Sequence, residues 1–158
     1  MAQNLDFDDV DKIIVKNVAR DARKSSREIA KETRVSHQTV LSRIRKLEQN
    51  GVIKGYTALL DWEKLGAPVK MLYLIEAGGL NNKQIDHVKA FLDKEKWFTH
   101  YALTSGEYDF VVFAKFKDQK EAGEKTSVFR AFLAKQFPLN SFRSHSLWSF
   151  TAKQNIDF

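Results

Sequence analysis

Apolar residues recur every three to four positions through the first third of this chain, then close up into short, nearly unbroken runs past residue 68. Val10, Ile14 and Val18 are spaced by four and predict one face of a helix. Asp8 or Asp6 is its N-cap, and further Asp residues in the first turn suit the helix dipole. Ser25 and Glu28 stand three apart, as in a capping box, and open a short second helix with Ile29 and Ala30 facing inward. That helix falters near Thr33-Arg34-Val35. Ser36 is a fresh N-cap, Val40, Ile44 and Leu47 form the stripe of a third helix, and Gly51 is placed to end it as a C-cap. The tight turn between the last two helices predicts a helix-turn-helix. Val52-Ile53 and residues 56–60, flanking Lys54-Gly55, predict a hairpin or strand beyond it, the wing of a winged domain.

Residues 61–68 read as a connector with one helical turn closed by Gly66 and Pro68. Residues 69–76 are strand-like, and Ile85, Val88, Phe91 and Leu92 carry a helical period. Strand patterns at 98–104 and 108–116 are joined by a Ser105-Gly106-Glu107 turn. Val128, Phe129, Phe132 and Leu133 mark another helix, and residues 142–150 a closing strand. The order βαββαβ predicts a ferredoxin-like unit, a four-stranded antiparallel sheet with two helices on one face. The chain is thus expected to be α+β, with a helix-turn-helix domain over 1–60, a connector over 61–68 and a ferredoxin-like domain over 69–158. Residues 69–75 and 110–114 are nearly apolar on both strand faces, so a partner should cover the open side, most simply a second copy.

Composition narrows the class. The 158 residues are 43% apolar and 12% aromatic, enough for packed cores. No run is apolar enough to span a bilayer, and the polar start lacks a signal-peptide core, so a cytoplasmic protein is expected. The lack of cysteine excludes disulfides, thiolate metal sites and a Cys nucleophile. The net charge of +6 favours a polyanionic partner, and its distribution says more. Residues 23–46 hold eight Lys/Arg against two Asp/Glu, so the positive field is focused on the helix-turn-helix.

On the third helix, Gln38, Thr39, Ser42, Arg45, Lys46 and Gln49 lie opposite the apolar stripe, with Arg43 flanking it. A charged helix face is usually just a solvated one. Here the helix-turn-helix spacing, the basic preceding turn and the lack of any acid over 36–47 coincide, and they favour a face built for a DNA groove. The N-terminal end of such a helix enters deepest, which puts Gln38, Thr39 and Ser42 at base edges, with Arg43 a further candidate. Arg45, Lys46, Arg27, Lys31 and Arg34 are then expected on phosphates. Ser36 acts mainly as the N-cap, and His37 supports the helix start or touches a phosphate.

The runs FDDVDKIIV and SSREIAKETRVSHQTVLSRIRKLEQNGVIKGYTALLDWEKLG resemble the N-terminal domain of the Lrp/AsnC (feast/famine) transcriptional regulators. ALTSGEYDFVVFAKFKD is similar to the Gly-x-x-Asp turn of that family's ligand-sensing (RAM) domain, here Gly106, Glu107, Tyr108 and Asp109. The resemblance spans nearly the whole chain. It implies a sequence-specific DNA-binding regulator that dimerises through the C-terminal sheets, with dimers often assembling into octamers and many members sensing an amino acid. The sequence departs from the family pattern at three places. Arg34 stands where the family often has Gly in the turn, residues 118–127 look long before the last helix, and Ser146 lies near a position that is often Thr.

Gly106–Asp109 has two readings: a tight hairpin turn, with Asp109 bonding nearby backbone, or an effector loop. In the second, loop N–H groups meet a carboxylate and Glu107 or Asp109 meets an ammonium. His37, His87, His100 and His145 are far apart and predict no metal site. Trp62, Trp97 and Trp148 are expected in a core or an interface. No nucleotide-loop or hydrolase motif occurs, and no catalytic residue or cofactor is expected. The alternative is an enzyme, since sirohaem decarboxylases resemble the same two-domain architecture. The regulator-like turn, His100 as the one histidine of that stretch and the intact basic third helix favour the regulator.

Overall fold

The computed structural model describes residues 7–149. The chain divides near Leu59 and Leu60 into two compact units.

The first unit holds α1 (Asp9–Arg20), α2 (Ser26–Thr33) and α3 (His37–Gln49). Local chemistry sets each start. The Asp8 carboxylate accepts the Asp11 N–H and caps α1; Ser25 and Glu28 close the full capping box of α2; Ser36 Oγ accepts the Thr39 N–H at the head of α3. Asn50 caps the end of α3, and Gly51 follows at φ +69°. The Gly51 N–H donates to the Glu48 carbonyl and the Val52 N–H to that of Leu47, the two bonds of a Schellman motif. Ile14, Ile29, Val40 and Leu47 make the core, so each helix contributes one fully buried aliphatic at least.

Among the described residues, no strand is formed over 52–60, where one was expected beyond α3. Val52 and Ile53 both pack on the helical core, and both N–H groups donate to the Leu47 carbonyl, so neither donates to a ladder. The Tyr56 hydroxyl donates to Glu48 at 2.8 Å, and burial together with that carboxylate pushes its pKa up to about 12.

In the second unit, residues 61–67 form a turn in which the Ala67 N–H reaches the Trp62 carbonyl at 2.8 Å and Gly66 takes φ +80°. Then follow β1 (Val69–Ala77), α4 (Asn82–Lys94), β2 (Phe98–Leu103), β3 (Phe110–Phe116), α5 (Gln119–Gln136) and β4 (Leu139–Ser146). The antiparallel sheet runs β2-β3-β1-β4, the ferredoxin-like order. One sheet face, with Tyr73, Ile75, Phe110, Val112 and Phe116, packs on Val88 and Leu92 of α4 and on Phe129 and Leu133 of α5. Each such side chain taken out of water contributes about 1.5–3 kcal/mol. By strand alternation Leu72, Leu74, Val111 and Phe113 point the other way, and all are half-buried.

Two expectations change here. Residues 118–127 are the N-cap and first half of α5, not a long lead-in: Asp118 caps the helix, and Ala122 is buried beneath it. The last strand starts at Leu139 because its pairing with β1 begins at Ala77 and ends at Met71. Phe150 lies outside the described residues. Of the three tryptophans, Trp97 is in the core, Trp62 lies under the Lys115 ammonium, and Trp148 is 99% exposed.

Candidate nucleic-acid interface

The capped start of α3 fixes which residues face out. Gln38, Ser42, Arg45 and Gln49, at spacings of four, three and four, are all exposed, as is Lys46. Val40 and Leu47 are buried on the opposite side. Thr39 is half-buried and its Oγ1 lies 2.9 Å from Ser36 Oγ, so two hydroxyls cluster at the N-terminal end. His37 is the half-buried first residue of the helix. Arg27 and Lys31, one turn apart on α2, are exposed, and so is Arg34 in the turn. Among the described residues, no carboxylate lies within ion-pair distance of Arg27, Lys31, Arg34, Arg45 or Lys46. The acid nearest in sequence to the outward face, Glu48, accepts the Tyr56 hydroxyl.

Arg34 sits at φ 57°, ψ 24°, the one non-glycine residue at positive φ among those described. The turn keeps the left-handed shape that glycine adopts freely, and a side chain there costs about 1 kcal/mol. The cost is local to this backbone, and the turn holds its shape.

Arg43 does not join the outward set. Its Nη1 lies 2.8 Å from Asp8 Oδ2 and 3.0 Å from Asp11 Oδ2, both at the head of α1. Lys24, counted with the basic cluster, pairs with Glu32 and donates to Asn17 Oδ1. Neither partnership has a local signature, since 32 residues separate Arg43 from Asp11. The only sequence signal was the polarity of Asp11 and Asn17 in phase with Ile14.

Three carboxylates of this unit have pKa values held below their ordinary ones. The Asp11 N–H, then Arg43, lowers the pKa of Asp8; the Ser25 hydroxyl and N–H lower that of Glu28; Lys24, then Asn17, lowers that of Glu32.

In the second unit, the loop from Thr104 to Asp109 is closed by the Thr104 N–H on the Asp109 carbonyl and the Thr104 hydroxyl on the Tyr108 carbonyl. Gly106 takes φ +152°. Asp109 Oδ2 accepts the Ala77 N–H at 2.7 Å, so one carboxylate oxygen is spent on backbone. Glu107 is exposed, and its hydrogen bond with the Tyr108 hydroxyl pushes that phenol's pKa up. The Arg143 guanidinium lies 5.9 Å from the Tyr108 ring. Among the described residues no group of three His, Asp or Glu side chains converges, and no helix is long and apolar enough to cross a membrane.

Residues 7–54 match the family model for winged helix-turn-helix DNA-binding domains. The chain is 38% identical over 117 residues to an HTH-type transcriptional regulator of Pyrococcus furiosus, covering 74% of this chain and 77% of that protein. It is 32% identical over 120 residues to the leucine-responsive regulatory protein of Rhizobium meliloti, covering 71% and 72%. Its fold is similar to that of a Neisseria meningitidis transcriptional regulator crystallised as an L-Met complex. There the TM-score is 0.75 at 18% identity, with 93% of each chain covered.

Proposed function

The chain belongs to the Lrp/AsnC family of transcriptional regulators, a DNA-binding family, and from that premise we propose that α3 reads its operator through Gln38, Thr39 and Ser42. Arg27, Lys31, Arg34, Arg45 and Lys46 neutralise phosphates around it, Ser36 keeps the helix capped, and His37 supports its first turn. The observation that carries this reading is that, among the described residues, no carboxylate lies within ion-pair distance of the outward cations. An exposed cation without an acidic partner is available to a phosphate, whereas Lys24 and Arg43 are already engaged. Gln reads adenine bidentately, and Ser or Thr hydroxyls reach base edges or phosphates.

A dimer formed by burying Leu72, Leu74, Val111 and Phe113 against a second copy would present two such helices. They would address half-sites about one helical turn, roughly 34 Å, apart. The Gly106–Asp109 loop is proposed as the effector site for an amino acid, supported by the L-Met complex of a protein with this fold. With one Asp109 oxygen on the Ala77 N–H, Glu107, which is the more exposed of the two though bonded to the Tyr108 hydroxyl, is the proposed anion for an ammonium group.

The test is a salt titration of affinity for a duplex selected from a random pool. Each phosphate contact contributes about 0.9 to the slope of log affinity against log salt. Arg45→Ala and Lys46→Ala are expected to flatten it by about one contact each. A slope untouched by either change would remove those residues from the interface.

A further inference from the structure

We propose that the buried polar stripe of α1 sets the position in which α3 is presented, and that Arg43 is a positioning residue and not a DNA contact. The inference rests on the reading of α3 as the DNA-facing helix.

The buried face of α1 reads Asp11, Ile14, Asn17: polar, apolar, polar at spacings of three. Ile14 supplies the core contact with Ile29, Val40 and Leu47. Such contact is non-directional, so by itself it constrains sliding or rolling of α3 against α1 less than a directed polar contact does. The two flanking polar residues supply direction. At the head of α1, Asp8 and Asp11 converge on the single nitrogen Nη1 of Arg43, in the middle of α3. Asp8 meanwhile uses its other oxygen on the Asp11 N–H at 2.8 Å, so the capping group is also half of the clamp. At the tail of α1, Asn17 Nδ2 donates to Glu32 Oε2 of α2 at 2.8 Å and to the Ile13 carbonyl at 2.9 Å, and Lys24 bridges Asn17 and Glu32. Each end of α1 is therefore tied to a different helix of the helix-turn-helix. α3 is pinned to α1 directly at Arg43, while the Asn17 pin fixes α2, whose Ile29 packs with Val40 and Leu47 of α3.

Electrostatics alone predicts the opposite sign for some of these residues. Asp8 and Asp11 are carboxylates in a domain that meets a polyanion, and removing either should strengthen binding to any duplex. A clamp predicts weaker binding, because α3 loses its fixed approach while the phosphate contacts remain the same in number. Arg43 separates the two cases equally well. As a phosphate ligand it contributes to the salt slope; as a positioning residue it changes affinity at constant slope.

The experiment uses the full chain and a duplex selected with it from a random pool, titrated over a range of salt, with helix content checked by far-ultraviolet circular dichroism. Arg43→Met and Asp11→Asn should each weaken binding about tenfold, with the native slope retained. The double variant should be no weaker than Arg43→Met alone, since the buried Asp11 carboxylate is then no longer left without its guanidinium. Arg45→Ala in the same series should flatten the slope. If Arg43→Met loses native helix content, Asp11→Asn, which keeps size and shape, carries the test through its sign. Tighter binding by Asp11→Asn, or a slope flattened by Arg43→Met as much as by Arg45→Ala, overturns the proposal. If the native chain retains no duplex at all, the reading of α3 falls first and this inference with it.

Discussion

The Asp109 carboxylate accepts the Ala77 N–H at 2.7 Å, while the Asp109 N–H donates to the Ile75 carbonyl at 2.8 Å. One residue thus closes the end of β1 and anchors the loop that leads into β3. Replacing it by Ala leaves the Ala77 N–H without its charged partner, at a loss of about 1–3 kcal/mol. Asp109→Asn, which retains an acceptor, should lose less. Trp62, Trp97 and Trp148 all belong to the second unit, so tryptophan fluorescence during urea unfolding reports on that unit. An unchanged midpoint for Asp109→Ala would show that the bond contributes nothing.

At Arg34 stability and binding should move in opposite directions. Glycine relieves the left-handed backbone at φ 57°, so Arg34→Gly should stabilise the helical unit by up to about 1 kcal/mol. The same change removes a proposed phosphate contact and should flatten the salt slope by about one. Arg34→Ala keeps the strained backbone without the cation and should lose binding with no gain in melting temperature. Equal melting temperatures for the Gly and Ala variants would contradict this.

Acid should loosen the helical unit in a defined window. Asp8, Glu28 and Glu32 have native pKa values below their ordinary 3.8 and 4.5. A lowered native pKa means that the unfolded chain takes up the proton first. The stabilisation is present in full above the ordinary values and is lost as pH falls from about 4.5 through the native ones. Helix content measured by circular dichroism at increasing urea should therefore be pH-independent near pH 6 and fall below about pH 4.5. Glu32→Gln should make that fall shallower; an unaltered profile would speak against the Lys24 pair.

The sheet face opposite α4 and α5 makes a separate prediction. If Leu72, Leu74, Val111 and Phe113 are covered by a second copy, Leu74→Glu places a charge in the middle of an apolar contact. Light scattering at micromolar concentration should then give a dimer or a multiple of it for the native chain and a smaller species for the variant. A native monomer would remove the proposed dimer.

Much of this architecture could be read from short-range patterns, because caps and periodicities act within a turn or two. Ser25 with Glu28, Ser36 with Thr39, and the Gly51 ending are all interactions between residues close in sequence. Features set by distant partners were not legible. Val52 and Ile53 have the composition of a strand, but the Leu47 carbonyl takes their N–H groups and the helical core takes their side chains. The polar run at 118–127 contains Gly123 and reads as a loop, yet the Asp118 cap and the packing of Ala122 and Phe129 outweigh a glycine penalty of about 1 kcal/mol. Helical phase sets Arg43 at the flank of the apolar stripe and Arg45 opposite it, but only the fold reveals that Asp8 and Asp11 lie beside Arg43.

The most direct test of the central claim is to select bound duplexes from one random pool with the native chain and with Gln38→Ala. An α3 whose exposed N-terminal end lies at base edges predicts a two-part consensus for the native chain. It also predicts loss of preference at one position in each half-site for the variant, the rest being kept. Two identical consensus sequences, or no enrichment by the native chain, would contradict it.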